Sequence, residues 1–233
     1  MNKHSIGTWL SLPNESIAEI LANAGYEWVV IDLEHSAINI NQAEQLIRVI
    51  DLAGCKPFVR LSGHSSSQIK RVLDAGAKGI LAPMVESKAQ IENIIASCHY
   101  PPKGNRGMGL ARAQGYGESH VKSEYITTAS KHIEIYAQIE SVAGIANLDS
   151  IFSQEIDGCF IGPYDLSASL GNPGILDSEE FFLAEDKILK ASKFHGVKAG
   201  YHLVEPDLEQ IPILLNKGYG MIKQTIDTWM KSV

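Results

Sequence analysis

The sequence contains little of what marks disulfide-rich, secreted or membrane-spanning proteins. Only three cysteines occur in 233 residues, and Cys55, Cys98 and Cys159 lie far apart. That spacing fits neither a disulfide framework nor a zinc site, and it is typical of a protein from a reducing cytoplasm. No apolar run approaches the roughly 18 residues of a membrane span. The first residues also lack the apolar segment of a signal peptide, so we expect a cytoplasmic protein.

Basic residues are in the minority. The chain has 20 lysines and arginines against 27 aspartates and glutamates, which gives a formal net charge of −7. Proteins that bind nucleic acids or anionic membranes usually present a basic face. We therefore expect no nucleic-acid and no membrane partner. A small anionic substrate remains compatible with this charge, because one arginine in a pocket can hold a carboxylate.

The chain also lacks internal repeats, low-complexity tracts and linkers rich in proline or serine. Its 45% hydrophobic and 20% charged residues are ordinary for a globular protein. A chain of this length can bury a sizeable core as one unit. We therefore predict a single domain that spans residues 1–233.

A regular alternation of short apolar segments and amphipathic segments runs through the chain. Most of the apolar segments are β-branched or aromatic and are bounded by glycine, proline or charge, as buried parallel strands are. There are eight of them, at 7–12, 28–33, 57–61, 79–84, 133–139, 158–162, 197–203 and 220–226. Eight such strands with intervening helices predict a closed (β/α)8 TIM barrel. A doubly wound open sheet is the alternative.

Helix signals separate most of these strands. Asn14 can cap a first helix that ends before Gly25, and further helices are predicted to begin at Asn41, at Ser65 or Ser66, and at Ser87. Later helices are predicted at 143–152, 178–193 and 206–215. Residues 100–130 are rich in glycine and show no clear period. We expect a long functional or flexible loop there.

Polar side chains collect at the carboxyl ends of the predicted strands, which converge on one mouth in a barrel. They are Asp32, His35, Arg60, Gln138, Glu140, Asp165 and, less strongly, His202. The remaining histidines are interpreted as solvated. Each residue of the set also has a structural interpretation, such as a helix cap for Asp165 or a rim ion pair for Arg60.

The residue types in this set favour chemistry next to a carbonyl group. Two carboxylates, Glu140 and Asp165, could hold a hard divalent cation together with water and a chelating substrate. His35 can move a proton near neutral pH, and the nearby Asp32 could fix its tautomer. Arg60 can grip a carboxylate or stabilise an enolate oxygen.

Several ordered motifs resemble the HpcH/HpaI aldolase family of class II pyruvate aldolases, which belongs to the phosphoenolpyruvate/pyruvate-barrel superfamily. The motifs cover nearly the whole chain, and in order they read GYEWVVIDLEHS, PFVRL, QIKRVLDAGAKGILAPMV, RGMGLARAQGYG, AQIES and GCFIGPYDLSASLG. Their number and order make the resemblance far more specific than any single motif would.

The resemblance implies a role for each matching residue. Glu140 and Asp165 would ligate a divalent cation, which could be Mg²⁺, Mn²⁺ or Co²⁺. His35 would be the catalytic base, paired with Asp32, and Arg60 would bind the keto acid and stabilise its enolate. The resemblance implies further contributions from Asp74, which would help to organise the base across a subunit contact, and from a pyruvate pocket formed by Gln138, Gly162, Pro163 and Tyr164.

The resemblance also implies a reaction and an assembly. The enzyme would reversibly cleave a 4-hydroxy-2-oxo acid into pyruvate and an aldehyde, through a pyruvate enolate held on the metal. It would be a homo-oligomer, a trimer or a hexamer. One departure from the family concerns the eighth strand, where Lys223 and Gln224 are unusually polar. If Lys223 points into the barrel, it could contact the substrate.

Three other hypotheses remain open at this stage. The first is a lyase of the same superfamily that acts on an acyl-CoA thioester, although no basic patch for the CoA phosphates is evident. The second is a Schiff-base aldolase that uses Lys223 or Lys198, which requires a lysine of lowered pKa inside the barrel. The third is a non-catalytic binding barrel.

Overall fold

The structure is a computed structural model that describes residues 4–203, 207 and 209–224. Eight parallel strands pair in chain order, and the eighth pairs with the first to close a barrel. The predicted (β/α)8 fold is therefore confirmed, and the open-sheet alternative is wrong because Ser5 pairs with Met221. The strands are β1 Ser5–Leu10, β2 Trp28–Asp32, β3 Lys56–Arg60, β4 Gly79–Ala82, β5 Glu134–Ile139, β6 Gly158–Ile161, β7 Lys198–His202 and β8 Met221–Gln224.

Helices follow the strands and cover the outside of the barrel. They are α1 Glu15–Asn23, α2 Ile40–Leu52, α3 Ser66–Ala75, α4 Lys88–Cys98, α5 Ser119–His132, α6 Val142–Ala146, α7 Leu148–Phe152, α8 Pro163–Ser169, α9 Glu179–His195 and α10 Gln210–Lys217. Parts of the predicted segments, residues 206, 208 and 225–226, lie outside the described residues. None of the helices in the described ranges combines the length and the apolar character that a membrane crossing requires.

Side-chain caps set the beginnings of several helices. The Asn14 side chain accepts a hydrogen bond from the Ile17 N–H, as its position before α1 predicts. Ser87 forms a capping box with Gln90 at the start of α4. Helix α2 begins earlier than predicted because Asn39, rather than Asn41, forms the capping box. Such boxes satisfy backbone donors that a helix start leaves unpaired.

The predicted long loop at 100–130 is only partly a loop. It contains a 3₁₀ helix at Arg112–Gly117 and then α5, which packs against that helix. The sequence of α5, SHVKSEYITTASKH, mixes β-branched and polar residues without a clear apolar stripe. The helical period was therefore not recognisable, and tertiary packing rather than intrinsic propensity accounts for the helix.

Aromatic rings fill the lower part of the barrel interior, and glycines on neighbouring strands leave the space that these rings occupy. A Cβ atom on Gly7 would lie 2.0 Å from the Trp28 ring, so only glycine leaves room for this tryptophan. Inward glycines on β4, β6 and β7 admit rings in the same way. The resulting inner cluster consists of Trp9, Trp28, Val30, Phe58, Leu81, Tyr136, Phe160 and Met221. It closes the barrel below the mouth and so gives the mouth a solid floor.

Candidate active site

An arginine–aspartate pair lies at the centre of the mouth. Asp32 ends β2 and Arg60 ends β3, at paired register positions. The Arg60 Nε and Nη2 atoms donate to the two oxygens of Asp32 at 2.9 and 2.5 Å, and both residues are buried. Burial acts to raise the pKa of Asp32. The hydrogen bonds and charge of Arg60, with two backbone N–H groups, outweigh it and hold that pKa below its ordinary value.

The position of His35 corrects one predicted contact. Asp32 accepts a hydrogen bond from the backbone N–H of His35 at 3.2 Å, not from the imidazole ring. Its oxygens are also occupied by Arg60 and the Glu34 N–H, so Asp32 does not fix the tautomer of His35 in this structure. The His35 Nε2 atom lies 3.8 Å from Glu34 Oε2, and its side chain is 61% exposed at the mouth.

Glu140 is a deeply buried carboxylate just beyond the end of β5. It accepts a hydrogen bond from the Met84 N–H at 2.7 Å and a short one from the Gln138 Nε2 atom. Met84 has a positive φ of 49°, which is an uncommon conformation for a residue other than glycine. Burial raises the pKa of Glu140 to about 7 against these hydrogen bonds, and the charges of Asp165 and Glu34 add to the rise.

Gly162 makes the position of Glu140 possible. A Cβ atom at residue 162 would lie 2.2 Å from Glu140 Oε2 and 3.0 Å from the Gln138 amide nitrogen. The glycine precedes α8, whose first turn carries the buried Pro163 and the exposed Asp165. The motif therefore brings a second carboxylate to the mouth while leaving room for the first.

Asp165, Glu140 and Glu34 interact electrostatically, which indicates that all three carboxylates lie at the same mouth. The charge of Asp165 acts to raise the pKa of both other groups. For Glu34, burial is the largest cause of a raised pKa, while the charges of Arg60 and His35 oppose it. Within the described ranges, no three His, Cys, Asp or Glu side chains form a group that could hold a metal ion. A cation here would need oxygen ligands from water or substrate.

Gln138 leaves one polar atom without a partner. Its Nε2 atom donates to Glu140, while its buried Oε1 atom has no hydrogen-bond partner among the described residues. Buried acceptors are rarely left unpaired, because the lost solvation costs about 1–3 kcal/mol. A ligand hydroxyl or a water on a cation would satisfy this atom.

Two predicted site residues lie away from the centre of the mouth. Asp74 is in the last turn of α3, on the outside of the barrel, where it accepts hydrogen bonds from Arg106 at 2.6 Å and Gln114 at 3.1 Å. Helix α3 leads away from the mouth, so Asp74 does not meet His35 of its own chain. The Tyr164 side chain is half exposed and borders an outer cavity of about 650 Å³ next to α9 and α10.

Sequence reasoning missed two residues of the mouth. Glu34 Oε2 lies 3.3 Å from Arg60 Nη1 but forms no hydrogen bond with it. The Arg60 Cζ atom lies 5.4 Å from the centre of the Trp9 ring, which also packs against His202 at 5.0 Å. The signals were present: Glu34 lies between the predicted site residues Asp32 and His35, and Trp9 shares the inward face of β1 with Gly7.

The interpretation of the remaining histidines as solvated is wrong at three positions. The His195 side chain is only 15% exposed, and its Nε2 atom lies 3.0 Å from Asp149 Oδ1. His99 is buried, and burial together with the charge of Lys103 lowers its pKa. His64 is half-buried and lies 2.6 Å from the Pro83 carbonyl oxygen. None of these three histidines occurs in an apolar run, so the sequence pattern gave no signal of their burial.

Comparisons with known proteins agree with this architecture. The family model for HpcH/HpaI aldolase/citrate lyase matches residues 5–231. A hydroxypyruvate/pyruvate aldolase of Rhizorhabdus wittichii is 41% identical over 178 residues, which are 76% of this chain and 69% of that protein. A 2-keto-3-deoxy-L-rhamnonate aldolase of Salmonella gallinarum is 36% identical over 208 residues, covering 88% and 77% of the two chains.

A solved structure extends the likeness to three dimensions. The crystal structure of an HpcH/HpaI aldolase/citrate lyase family protein from Burkholderia cenocepacia superposes with a TM-score of 0.91 at 30% identity. The superposition covers 99% of this chain and 91% of that one. The family predicted from the motifs is confirmed: the chain belongs to the HpcH/HpaI aldolase/citrate lyase family and is an enzyme of the aldolase type.

Proposed function

We propose that the protein is a divalent-metal-dependent aldolase that reversibly cleaves a 4-hydroxy-2-oxo acid into pyruvate and an aldehyde. The observation that carries this proposal is the buried Glu140 carboxylate, which interacts with the charges of Asp165 and Glu34. It lies at the same mouth as the Arg60–Asp32 pair. Two of the similar proteins are named as aldolases of hydroxypyruvate/pyruvate and of a 2-keto-3-deoxy acid, which supports the substrate class.

Glu140 and Asp165 are the residues that would hold the cation. They fit a hard divalent ion because both are carboxylates, and because the free Gln138 Oε1 atom can accept a hydrogen bond from a coordinated water. When bound, such a cation polarises the carbonyl group of the keto acid as a Lewis acid. Carboxylate sites accept Mg²⁺, Mn²⁺ and Co²⁺, so all three are candidates.

Arg60 is the residue that would stabilise negative charge on the keto acid. Its guanidinium is fixed by the two hydrogen bonds to Asp32, so it need not reorganise when an enolate oxygen develops. Preorganised donors of this kind are a large source of transition-state stabilisation. Gln138 and the backbone of Gly162, Pro163 and Tyr164 would line the pocket for the pyruvate unit.

His35 is the residue that would move the proton. In the cleavage direction, its imidazole, or a water molecule that it activates, accepts the proton of the C4 hydroxyl group. The C3–C4 bond then breaks and the aldehyde is released. The electron pair of the broken bond remains in the enolate that Arg60 stabilises. Protonation at C3 gives pyruvate, and the reverse sequence is an aldol addition. Exposure at the mouth lets the ring exchange the proton with solvent.

The assembly and the location follow as further proposals. We propose a homo-oligomer, a trimer or a hexamer, in the cytoplasm. Asp74 lies on the outside of its own barrel, beside Arg106 and Gln114, and could assist a base only across a contact between copies. An analytical ultracentrifugation run would give the number of chains in the assembly.

Exchange of the pyruvate methyl protons with deuterated water tests the proposal, because enolate formation at C3 causes it. We expect exchange, followed by proton NMR, in the presence of Mg²⁺, Mn²⁺ or Co²⁺, and its loss in EDTA.

Glu140→Gln should weaken metal binding. His35→Ala should lower aldol turnover by about 10² to 10⁴ while metal affinity, measured by calorimetry, stays near the wild-type value. Exchange that persists in EDTA would contradict the proposal.

A further inference from the structure

Lys223 is a buried cation inside the barrel. On β8, Met221 belongs to the inner cluster and Ile222 to the core between sheet and helices, so Lys223 faces inward again. It is only 5% exposed. Its register partners are Gly7 on β1 and His202 on β7.

The barrel geometry places Lys223 directly below the polar residues of the mouth. In a (β/α)8 barrel, inward side chains from alternate strands lie in layers of four. The strand registers give one layer of Trp9, Arg60, Gln138 and His202, and beneath it a layer of Val30, Leu81, Phe160 and Lys223. Three of the four positions in the lower layer are apolar, and the fourth is a lysine. A charged group there requires an explanation, because an unpaired buried charge is costly.

No carboxylate of the protein accounts for this charge within the described ranges. Among those residues, no Asp or Glu oxygen forms an ion pair with the Lys223 Nζ atom. The charge of Arg60 is already matched by Asp32, and Asp32 interacts with Lys223 only electrostatically. Burial lowers the pKa of Lys223 to about 8, with the charge of Arg60 adding to the effect and that of Asp32 opposing it.

Among the described neighbours of Lys223, Arg60 is the other cation, and Trp9 has a buried polar atom without a partner. Burial and the charges of Lys223 and Arg60 lower the pKa of His202 well below its ordinary value, which leaves this ring neutral. The buried Trp9 Nε1 atom, on the layer above, has no hydrogen-bond acceptor among the described residues. An ammonium group and an indole N–H are both donors, and together they match an anionic oxygen ligand.

We propose that Lys223 binds a carboxylate of the substrate at the floor of the active site, beside Arg60. This inference rests on the proposed aldolase function. The carboxylate belongs either to the pyruvate unit or to an aldehyde partner that is itself an acid. If only neutral groups of the substrate contacted the floor of the active site, the charge of Lys223 would have no counter-charge.

Binding of oxalate, a dianionic analogue of the pyruvate enolate, tests the pyruvate source without turnover. The protein is titrated with oxalate in a calorimeter at saturating Mg²⁺. We expect Lys223→Met to weaken oxalate binding by about tenfold to a hundredfold, as the loss of a charged hydrogen bond does, and Lys223→Arg to retain most of it. Methionine suits the apolar layer, circular dichroism reports folding, and Lys190→Met, at an exposed lysine, serves as the control.

The preference for an acidic over a neutral aldehyde tests whether the carboxylate belongs to the aldehyde partner. If oxalate binding is unchanged, Lys223→Met should lower kcat/KM for glyoxylate by about tenfold or more but leave that for glycolaldehyde nearly unchanged. An unchanged affinity together with an unchanged selectivity would overturn the inference. So would trapping of a pyruvate adduct on Lys223 by borohydride, because the amine would then act as a nucleophile.

The pyruvate exchange of the wild-type protein separates this inference from the proposed function. A wild-type protein without metal-dependent exchange contradicts the proposed function itself. A wild-type protein that exchanges normally, beside a Lys223→Met variant identical to it in every measurement, contradicts only the role of Lys223.

Discussion

At the scale of single residues, the site depends on a missing side chain as much as on those present. Glu140 occupies the volume that a Cβ atom at residue 162 would need. The carboxylate, its amide partner Gln138 and the backbone of α8 are therefore packed against one another. Because protein interiors are close-packed, a single added methyl group there must displace at least one of them.

Gly162→Ala should consequently impair the proposed metal site more than the fold. We expect metal affinity, measured by titration calorimetry, to fall by about tenfold or more, since a steric displacement of about 1–3 kcal/mol acts on a ligand. Gly220→Ala is the matched control, because a Cβ atom at residue 220 would have no neighbour within 4 Å. Equal metal affinity in the two variants would show that Glu140 adjusts without cost.

Which residues reach the mouth was largely predictable, whereas their pairing was not. The apolar segments that form β2, β3 and β5 end close to Asp32, Arg60 and Glu140, and the closed barrel brings these strand ends together. The sequence could not show that Arg60 occupies both oxygens of Asp32 and so separates that carboxylate from the His35 ring. Pairing depends on rotamers and on the distance between strands, and adjacency in sequence favoured the wrong partner.

At the scale of elements, a buried arginine anchors the segment between α4 and α5. The Arg106 side chain is completely buried and donates to Asp74 at 2.6 Å and to the Tyr125 hydroxyl at 3.0 Å. Its guanidinium also lies 4.9 Å from the centre of the Tyr100 ring. These contacts join the 100–117 segment and α5 to α3.

Arg106→Ala should therefore destabilise the protein strongly. Removing one partner of a buried ion pair costs roughly 3–5 kcal/mol, because the other charge is left uncompensated. Arg48→Ala removes an exposed i,i+4 pair with Glu44 and should cost at most about 1 kcal/mol. Urea unfolding followed by circular dichroism gives both values. Similar losses in the two variants would show that the Arg106 cluster adds no stability of its own.

The same elements show where prediction from sequence ends. Helices with side-chain caps and apolar stripes, such as α1 and α4, were predicted close to their true starts. Helix α5 was not, because it carries neither signal and is held by its packing against the 3₁₀ helix. The predicted helix at 143–152 is two short helices, α6 and α7, because the chain leaves the helical conformation at Asn147.

At the scale of the whole molecule, a second ionic contact joins strands at the end opposite the mouth. Glu134, the first residue of β5, accepts hydrogen bonds from Lys56 at 2.6 Å and from the Tyr136 hydroxyl at 2.5 Å. Burial acts to raise the pKa of Glu134, but the hydrogen bonds from Lys56 and Tyr136 and the charge of Lys56 outweigh it. That pKa consequently lies below its ordinary value.

The contribution of the Glu134 carboxylate to the free energy of unfolding should depend on pH in the acidic range. A lowered pKa in the folded state stabilises the protein above the unfolded pKa of about 4.3, and this contribution is lost as the pH falls through the folded pKa. Glu134→Gln should therefore be less stable than wild type at neutral pH, and the difference should shrink between about pH 5 and 3. Urea unfolding across that range measures it. Parallel curves would contradict the expectation.

The pairing of β8 with β1 has a consequence for synthesis on the ribosome. The partners of Ser5 and Gly7 on this side are Met221 and Lys223, so the edge of β1 that faces away from β2 stays open until β8 has been synthesised. Until then the growing sheet has two open edges, whose free amide and carbonyl groups invite association with other chains. Chaperone binding should matter most during this interval.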